Sequence, residues 1–282
     1  MTISGKRIGW LIWAGVLVGL GLSGCSSKGF ERNPNLKELK GTSDDDYYPF
    51  SPIWADNGKV YYLASYSNYP FPECSAQAFR SIRADGTGDT LLLGDTAYLP
   101  GSFRLLAYHK PTGRIAILQV EGPILIWDTW TDSIVDSVPN HQHLGPFIRW
   151  CPDGTALLVG DESIWKVSIG DSVYSFYSSG SECGFEVNSD GSLYTELPWP
   201  SFCPIDSSTL AFSECIPLVE NLFLRTPAGD TRLDANPWEY TAFYLFVSWS
   251  PDCEAIVFSA YMSRGEPAPP FWPELWILED VR

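Results

Sequence analysis

The chain has 282 residues, room for one large or two ordinary domains, and is strongly acidic, with 34 Asp and Glu against 18 Lys and Arg. A surface of that sign repels phosphate backbones and argues against nucleic acid as a partner. The 12 Trp, 14 Tyr and 15 Phe are scattered over many short segments, which suits a β architecture with several packed interfaces.

At the N-terminus Lys6 and Arg7 precede an apolar run, Ile8 to Leu20, that is short for a transmembrane span. The run leads to Leu22-Ser23-Gly24-Cys25, a branched residue and two small ones before a thiol, and so resembles the processing site of bacterial lipoprotein signal peptides. The resemblance implies cleavage before Cys25, acylation there, and membrane attachment through two or more acyl chains. Ser26 in the next position implies sorting to the outer membrane; an uncleaved anchor is the alternative. The expected organisation is a signal peptide over 1–24, a lipidated Cys with linker over 25–45, and one folded domain over 46–282. Lys6 and Arg7 are the only charges before Cys25, so the processed chain keeps 16 basic residues against 34 acidic ones, a net charge of about −18. Asp44-Asp45-Asp46 lacks the central Gly and distal Glu of a calcium loop and reads as a solvated run. Leu36 to Leu39 has enough apolar character to form a stray strand.

From residue 50 onward one phrase recurs. Its clearest copy is Val247-Ser248-Trp249-Ser250-Pro251-Asp252, followed by Ala255 to Phe258: strand, Pro-Asp turn, strand. A second copy is Ile148-Arg149-Trp150-Cys151-Pro152-Asp153-Gly154 before Leu157 to Val159, and a worn one is Ile53-Trp54-Ala55-Asp56-Asn57-Gly58 before Val60 to Leu63. Four strands make up each unit except the last, which offers three. They are predicted near 52–54, 60–64, 79–83 and 90–93; 103–108, 115–120, 124–128 and 133–138; and 148–150, 156–160, 164–168 and 173–176. Further along they are 201–204, 210–213, 222–225 and 231–233, and finally 247–249, 255–259 and 275–278. The repeat is roughly 49 residues, a propeller-type period. Each unit therefore reads as one antiparallel blade, with the first-strand Trp buried between blades. Five blades are expected. The segment Val187 to Tyr194 looks like another turn and strand, either an inserted hairpin or the remnant of a sixth blade.

The Trp-Ser-Pro-Asp phrase at 249–252, its partner at 150–153, and Trp276-Ile277-Leu278-Glu279 resemble the WD-like propeller repeats of TolB. The likeness spans most of 50–282 in outline and departs at Ala55, Asn57 and Cys253; it implies the fold and not TolB's own partners. The last unit offers three strands before Arg282, so Leu36–Leu39 is expected to supply the fourth and close the ring.

Catalytic signatures are missing: no Gly-x-Ser-x-Gly elbow, no phosphate-binding Gly-rich loop, no His-Glu-x-x-His. His109 falls on a first-to-second strand turn, at the opposite end of the ring from His141 and His143, so no three-His metal centre is expected. No cofactor is implied. The connections between second and third strands are more informative. Tyr69 and Phe71 in one, and Phe271 and Trp272 in another, sit among prolines on neighbouring units, as candidate binding residues. Folding back to cap the blade edges is the competing role. Of the six cysteines after Cys25, 74, 183 and 215 map to that loop end, and 151, 203 and 253 to the opposite turns. A cross-end disulfide would have to span a strand, and Cys183–Cys215 is the expected pair. The expectation is a lipid-anchored, monomeric, non-catalytic propeller that binds envelope proteins; a polysaccharide lyase or hydrolase, or a small-ligand binder using the central channel, are the alternatives.

Overall fold

The computed structural model divides the chain into Met1–Phe30 and Glu31–Arg282. The residues it describes all lie in the second unit: 35–39, 48–65, 78–94, 103–120, 122–140, 147–160, 162–179, 185–194, 200–216, 219–233, 242–262 and 273–281. They form five four-stranded antiparallel sheets and one two-stranded hairpin.

Strand β1 (Leu36–Glu38) comes first and is placed last, in blade 5. Blade 1 is β2 (Tyr48–Trp54), β3 (Lys59–Ser65), β4 (Ala78–Arg83) and β5 (Thr90–Leu93). Blade 2 is β6 (Phe103–His109), β7 (Arg114–Gln119), β8 (Ile124–Asp128) and β9 (Ser133–Val138). Blade 3 is β10 (Phe147–Trp150), β11 (Ala156–Gly160), β12 (Ser163–Ser168) and β13 (Tyr174–Ser179). The hairpin β14 (Glu186–Val187) and β15 (Leu193–Tyr194) follows. Blade 4 is β16 (Ser201–Phe202), β17 (Leu210–Ile216), β18 (Val219–Thr226) and β19 (Gly229–Arg232). Blade 5 is β20 (Ala242–Trp249), β21 (Ile256–Met262) and β22 (Pro273–Leu278), completed by β1 through Leu36↔Leu278, Lys37↔Ile277 and Glu38↔Trp276. The N-terminal strand thus closes the ring as the strand count requires. Lys37 pairs with Glu279 beside it, and Leu36 and Leu39 are buried.

The second strands β3, β7, β11 and β21 are largely apolar because both of their faces are covered. In β3, Tyr61 and Leu63 join a layer with Phe103, Leu106 and Trp127 of blade 2. Val60, Tyr62 and Ala64 on the other face join Val257, Leu275 and Ile277 of blade 5. Further layers join blades 2 and 3, and blades 4 and 5. The outermost strands β9, β13 and β19 are largely exposed; β19 is polar, whereas β9 and β13 present Ile134, Val135, Phe176 and Tyr177 to solvent.

Two first-strand tryptophans, Trp150 and Trp249, lock these layers with one directional bond each. Trp150 donates from Nε1 to the carbonyl of Ala107 in blade 2, at 3.0 Å. Trp249 does the same to Ser201 in blade 4, at 2.8 Å. Tyr108 stands at the equivalent place in blade 2, and its hydroxyl accepts the Asp56 backbone N–H.

The hairpin is a blade cut short. Its turn repeats the blade turn: Asn188 N–H bonds Ser192 O and Gly191 N–H bonds Asn188 O, as Cys151–Ala156 and Gly154–Cys151 do in blade 3. Phe185, leading into it, packs on Phe147, and Glu186 pairs with Arg149 of blade 3; Tyr194 meets Phe202 and Arg225 of blade 4. Two strands cover only the inner half of blade 3. On that face β12 and β13 accordingly carry Lys166, Ser168 and Ser175, where a complete neighbouring blade would need apolar side chains.

Candidate functional site

The innermost strands of all five blades, with the hairpin, enclose an axial cavity of about 340 Å³ at the end of the ring where first strands turn into second strands. Two of these strands are kinked inward. Ser51 in β2 and Phe246 in β20 occupy equivalent positions, three residues before Trp54 and Trp249, and have φ of 52° and 54°. Each marks a bulge, where the pairing register slips between Phe50 and Ile53 and between Leu245 and Ser248. The bulges aim side chains across the axis. Phe246 packs against Phe50 and reaches the apolar layers between blades 1 and 2 and between blades 2 and 3. It forms the floor of the cavity. Ser51 turns its Oγ to accept Leu106 N–H, and Ser248 Oγ accepts Trp54 N–H, so both bulges also tie first strands together.

Above this floor four charged side chains line the cavity in two pairs. Lys110 lies 3.8 Å from Asp56 Oδ1, and its ammonium also donates to the Pro251 carbonyl at 3.0 Å. Arg149 donates from Nε to Glu186 at 2.8 Å and from Nη1 to the Ile148 carbonyl. Asp56 Oδ1 is shielded from water and accepts no hydrogen bond from the described residues. Ile205, 64 % exposed, stands at the rim.

The turns that carry these residues are held by one recurring device. The side-chain oxygen of Asn57, Asp153, Asp190, Asp206 or Asp252 accepts the backbone N–H two residues on, at 2.8–3.2 Å. The Thr155 N–H holds Asp153 below the ordinary carboxylate range, the Ser192 hydroxyl does so for Asp190, and the Ser250 hydroxyl for Asp252. Blade 2 departs from the device: Pro111 sits in a short 3-10 turn, Lys110–Thr112, capped by Gly113 at φ 64°.

Consecutive turns touch at fixed positions. The first residue of the blade 2 turn, His109, is buried between Trp150, Thr112 Oγ1 at 2.8 Å and the Pro152 carbonyl at 3.1 Å. Its ring fills the space over Gly154, where a Cβ would lie 2.4 Å from Cε1. In blades 4 and 5 the same two positions are Cys203 and Cys253, and they form a disulfide. Both belong to the turn-end set of cysteines; Cys253, at φ 60°, replaces the glycine found in the turns of blades 1 to 3. Sequence reasoning did not select this pair, although its separation of 50 residues is close to one repeat. Cys151, the third of the set, is a buried free thiol pushed up by desolvation. His109 is thus a packing residue, at the turn end as its place in the repeat required. Among the described residues no group of three or more His, Cys, Asp or Glu side chains is arranged to hold a metal.

Of the residues singled out from sequence, Cys25, Tyr69, Phe71, Cys183, Phe271, Trp272, His141 and His143 lie outside the described residues. Cys215 lies in β17, opposite Glu220. The axial residues Asp56, Lys110, Arg149, Glu186 and Phe246 were missed. The repeat phrase marks first strands as structural; a bulge turns Phe246 toward the axis, while Asp56 and Lys110 reach the cavity from turns, Arg149 from β10 and Glu186 from the hairpin.

No family model and no curated protein matches the sequence. Solved structures do. A chain from a structure titled "Crystal Structure of Mitotic Checkpoint Complex" is 12% identical over 99% of this chain and 99% of that one, with a TM-score of 0.58. The structure of U3-55K is 8% identical over 89% of this chain and 100% of that one, at 0.55, and the RRP9 WD40 repeats are 8% identical over 88% and 98%, at 0.56. At such identities the likeness is one of fold, and that fold is a five-bladed β-propeller of WD40-like architecture.

Proposed function

We propose that this chain is a non-catalytic protein-binding propeller, lipid-anchored through Cys25 at the cell envelope, whose partner docks on the end opposite the axial cavity. The observation that carries the reading is where two segments begin and end. Residues 66–77 join β3 to β4 and 263–272 join β21 to β22, and their anchors, Ser65 and Ala78, and Met262 and Pro273, stand at the same end of adjacent blades. Those segments carry Tyr69, Phe71, Phe271 and Trp272 among prolines, and stiffened aromatics lose little entropy on binding. The similar checkpoint-complex chain is, by its title, part of an assembly, which accords with a scaffold role. The TolB-like repeat phrase, the lipoprotein-like N-terminus and a disulfide that needs an oxidising compartment support placement in the envelope.

A photo-crosslinking amino acid at position 272, in intact cells, tests this reading. The expected result is a discrete protein adduct that Phe271→Ala abolishes without changing the melting temperature, together with loss of membrane association in Cys25→Ser. A fall in melting temperature with the adduct unchanged assigns the aromatics to capping and overturns the reading.

A further inference from the structure

We infer that the axial cavity binds a neutral, hydroxyl-rich small molecule the size of one or two sugar rings. At about 340 Å³ it lies at the small end of ligand pockets, and it combines an aromatic floor with a few convergent polar groups. Phe246, Trp54 and Ile205 offer apolar surface to the C–H faces of such a ring.

Charge selects the class. The lining holds two cations and two anions, Lys110 with Asp56 and Arg149 with Glu186. An ionic ligand would take one member of a pair and leave the other half-buried without its counter-charge, which is costly. A hydroxyl both donates and accepts, so one ligand group satisfies a carboxylate while its neighbour satisfies a cation. Asp56 points to where this begins. Its Oδ1 is turned inward toward an ammonium at 3.8 Å that already serves Pro251, while the side chain as a whole lines the cavity and is 26 % exposed. A ligand hydroxyl can therefore donate to this carboxylate from the cavity side. Arg149 is similarly poised, with Nε and Nη1 committed and no partner for Nη2 among the described residues.

This site is at the other end of the ring from the proposed partner surface and stands or falls independently of it. The test is saturation-transfer NMR and calorimetry with millimolar glucose, galactose, maltose and cellobiose, each alongside glucuronate and glucosamine. At least one neutral sugar should bind, and more tightly than both charged ones. Asp56→Asn should weaken that sugar about tenfold by weakening a bond to a charged acceptor. Ser207→Trp, on an exposed turn at the rim, should block it without unfolding the protein. The inference is overturned if no neutral sugar binds, if a charged sugar binds as tightly, or if both variants leave affinity unchanged.

Discussion

Two kinds of side chain recur around this ring and act by different physics. The first-strand residues Trp150 and Trp249 bury a large ring and use their single N–H to reach the preceding blade's backbone, so that one residue combines non-directional burial with a bond that fixes register. The turn aspartates bury almost nothing and act through charge-assisted bonds to backbone N–H groups. Asp153, Asp190 and Asp252 have folded-state values below the ordinary carboxylate range. A carboxylate depressed by folding contributes stability that is complete above its unfolded value of about 4 and is lost as pH falls through the folded value. The melting temperature should therefore be flat from neutral pH to about pH 5 and decline below about pH 4. Asn57 already makes the same bond in blade 1 with an amide that does not titrate. The triple variant Asp153→Asn, Asp190→Asn, Asp252→Asn should lower the melting temperature at neutral pH, where the ionised carboxylates contribute fully, and show a shallower decline in acid. An unchanged acid slope in a pH series by calorimetry would contradict this account.

At the scale of the element, the decisive piece is β1, three residues of strand that complete blade 5. Without it β22 would present unpaired backbone groups, and the apolar side chains of Leu36 and Leu39, at 3 % and 2 % exposure, would have no cover for the surfaces they fill. Replacing Leu36 by Ala should cost about 2–5 kcal/mol and lower the melting temperature by roughly 5–15 °C in a domain of this size. A change of no more than about 1–2 °C, the noise of such a measurement, would mean the ring closes without it. This strand was legible because of a count: four strands per unit and only three in the last. The blades were legible for the same reason, since Pro-Asp turns and doubly buried apolar strands recur at a fixed interval. The hairpin β14–β15 was visible only as an irregularity, because two strands with half-buried side chains lack the continuous apolar run that marks a full blade. A central channel followed from the repeat, but the lining of the cavity was not legible. Its floor depends on Phe246 adopting φ 54°, and nothing in the phrase Leu245-Phe246-Val247 announces a bulge.

Across the whole molecule the ring is not uniformly held. Buried apolar layers join blade 5 to 1, 1 to 2, 2 to 3 and 4 to 5, whereas among the described residues no such layer spans blades 3 and 4. There the hairpin gives its apolar side chains to blade 3 and meets blade 4 through one aromatic contact and the Arg225–Tyr194 bond. Blade 4 therefore depends on its other neighbour, and that is the junction that carries the Cys203–Cys253 disulfide. Elsewhere the corresponding turn positions hold the His109 ring over Gly154, a contact that packs but does not tether. Closing a loop of 50 residues removes about 4 kcal/mol of unfolded-state entropy in the chain model, with measured bridges usually delivering about 2–4. Reduction, or the Cys203→Ser, Cys253→Ser double variant, should lower global stability by about 2–4 kcal/mol. The loss should also be local. In hydrogen exchange followed by mass spectrometry, β17 and β18 should lose protection before β3 and β7, because blade 4 is then held on one side by packing alone. Uniform loss around the ring, or protection in β17 and β18 unchanged by reductant, would show that the 3–4 junction is as strong as the others and that the bridge is not what secures it.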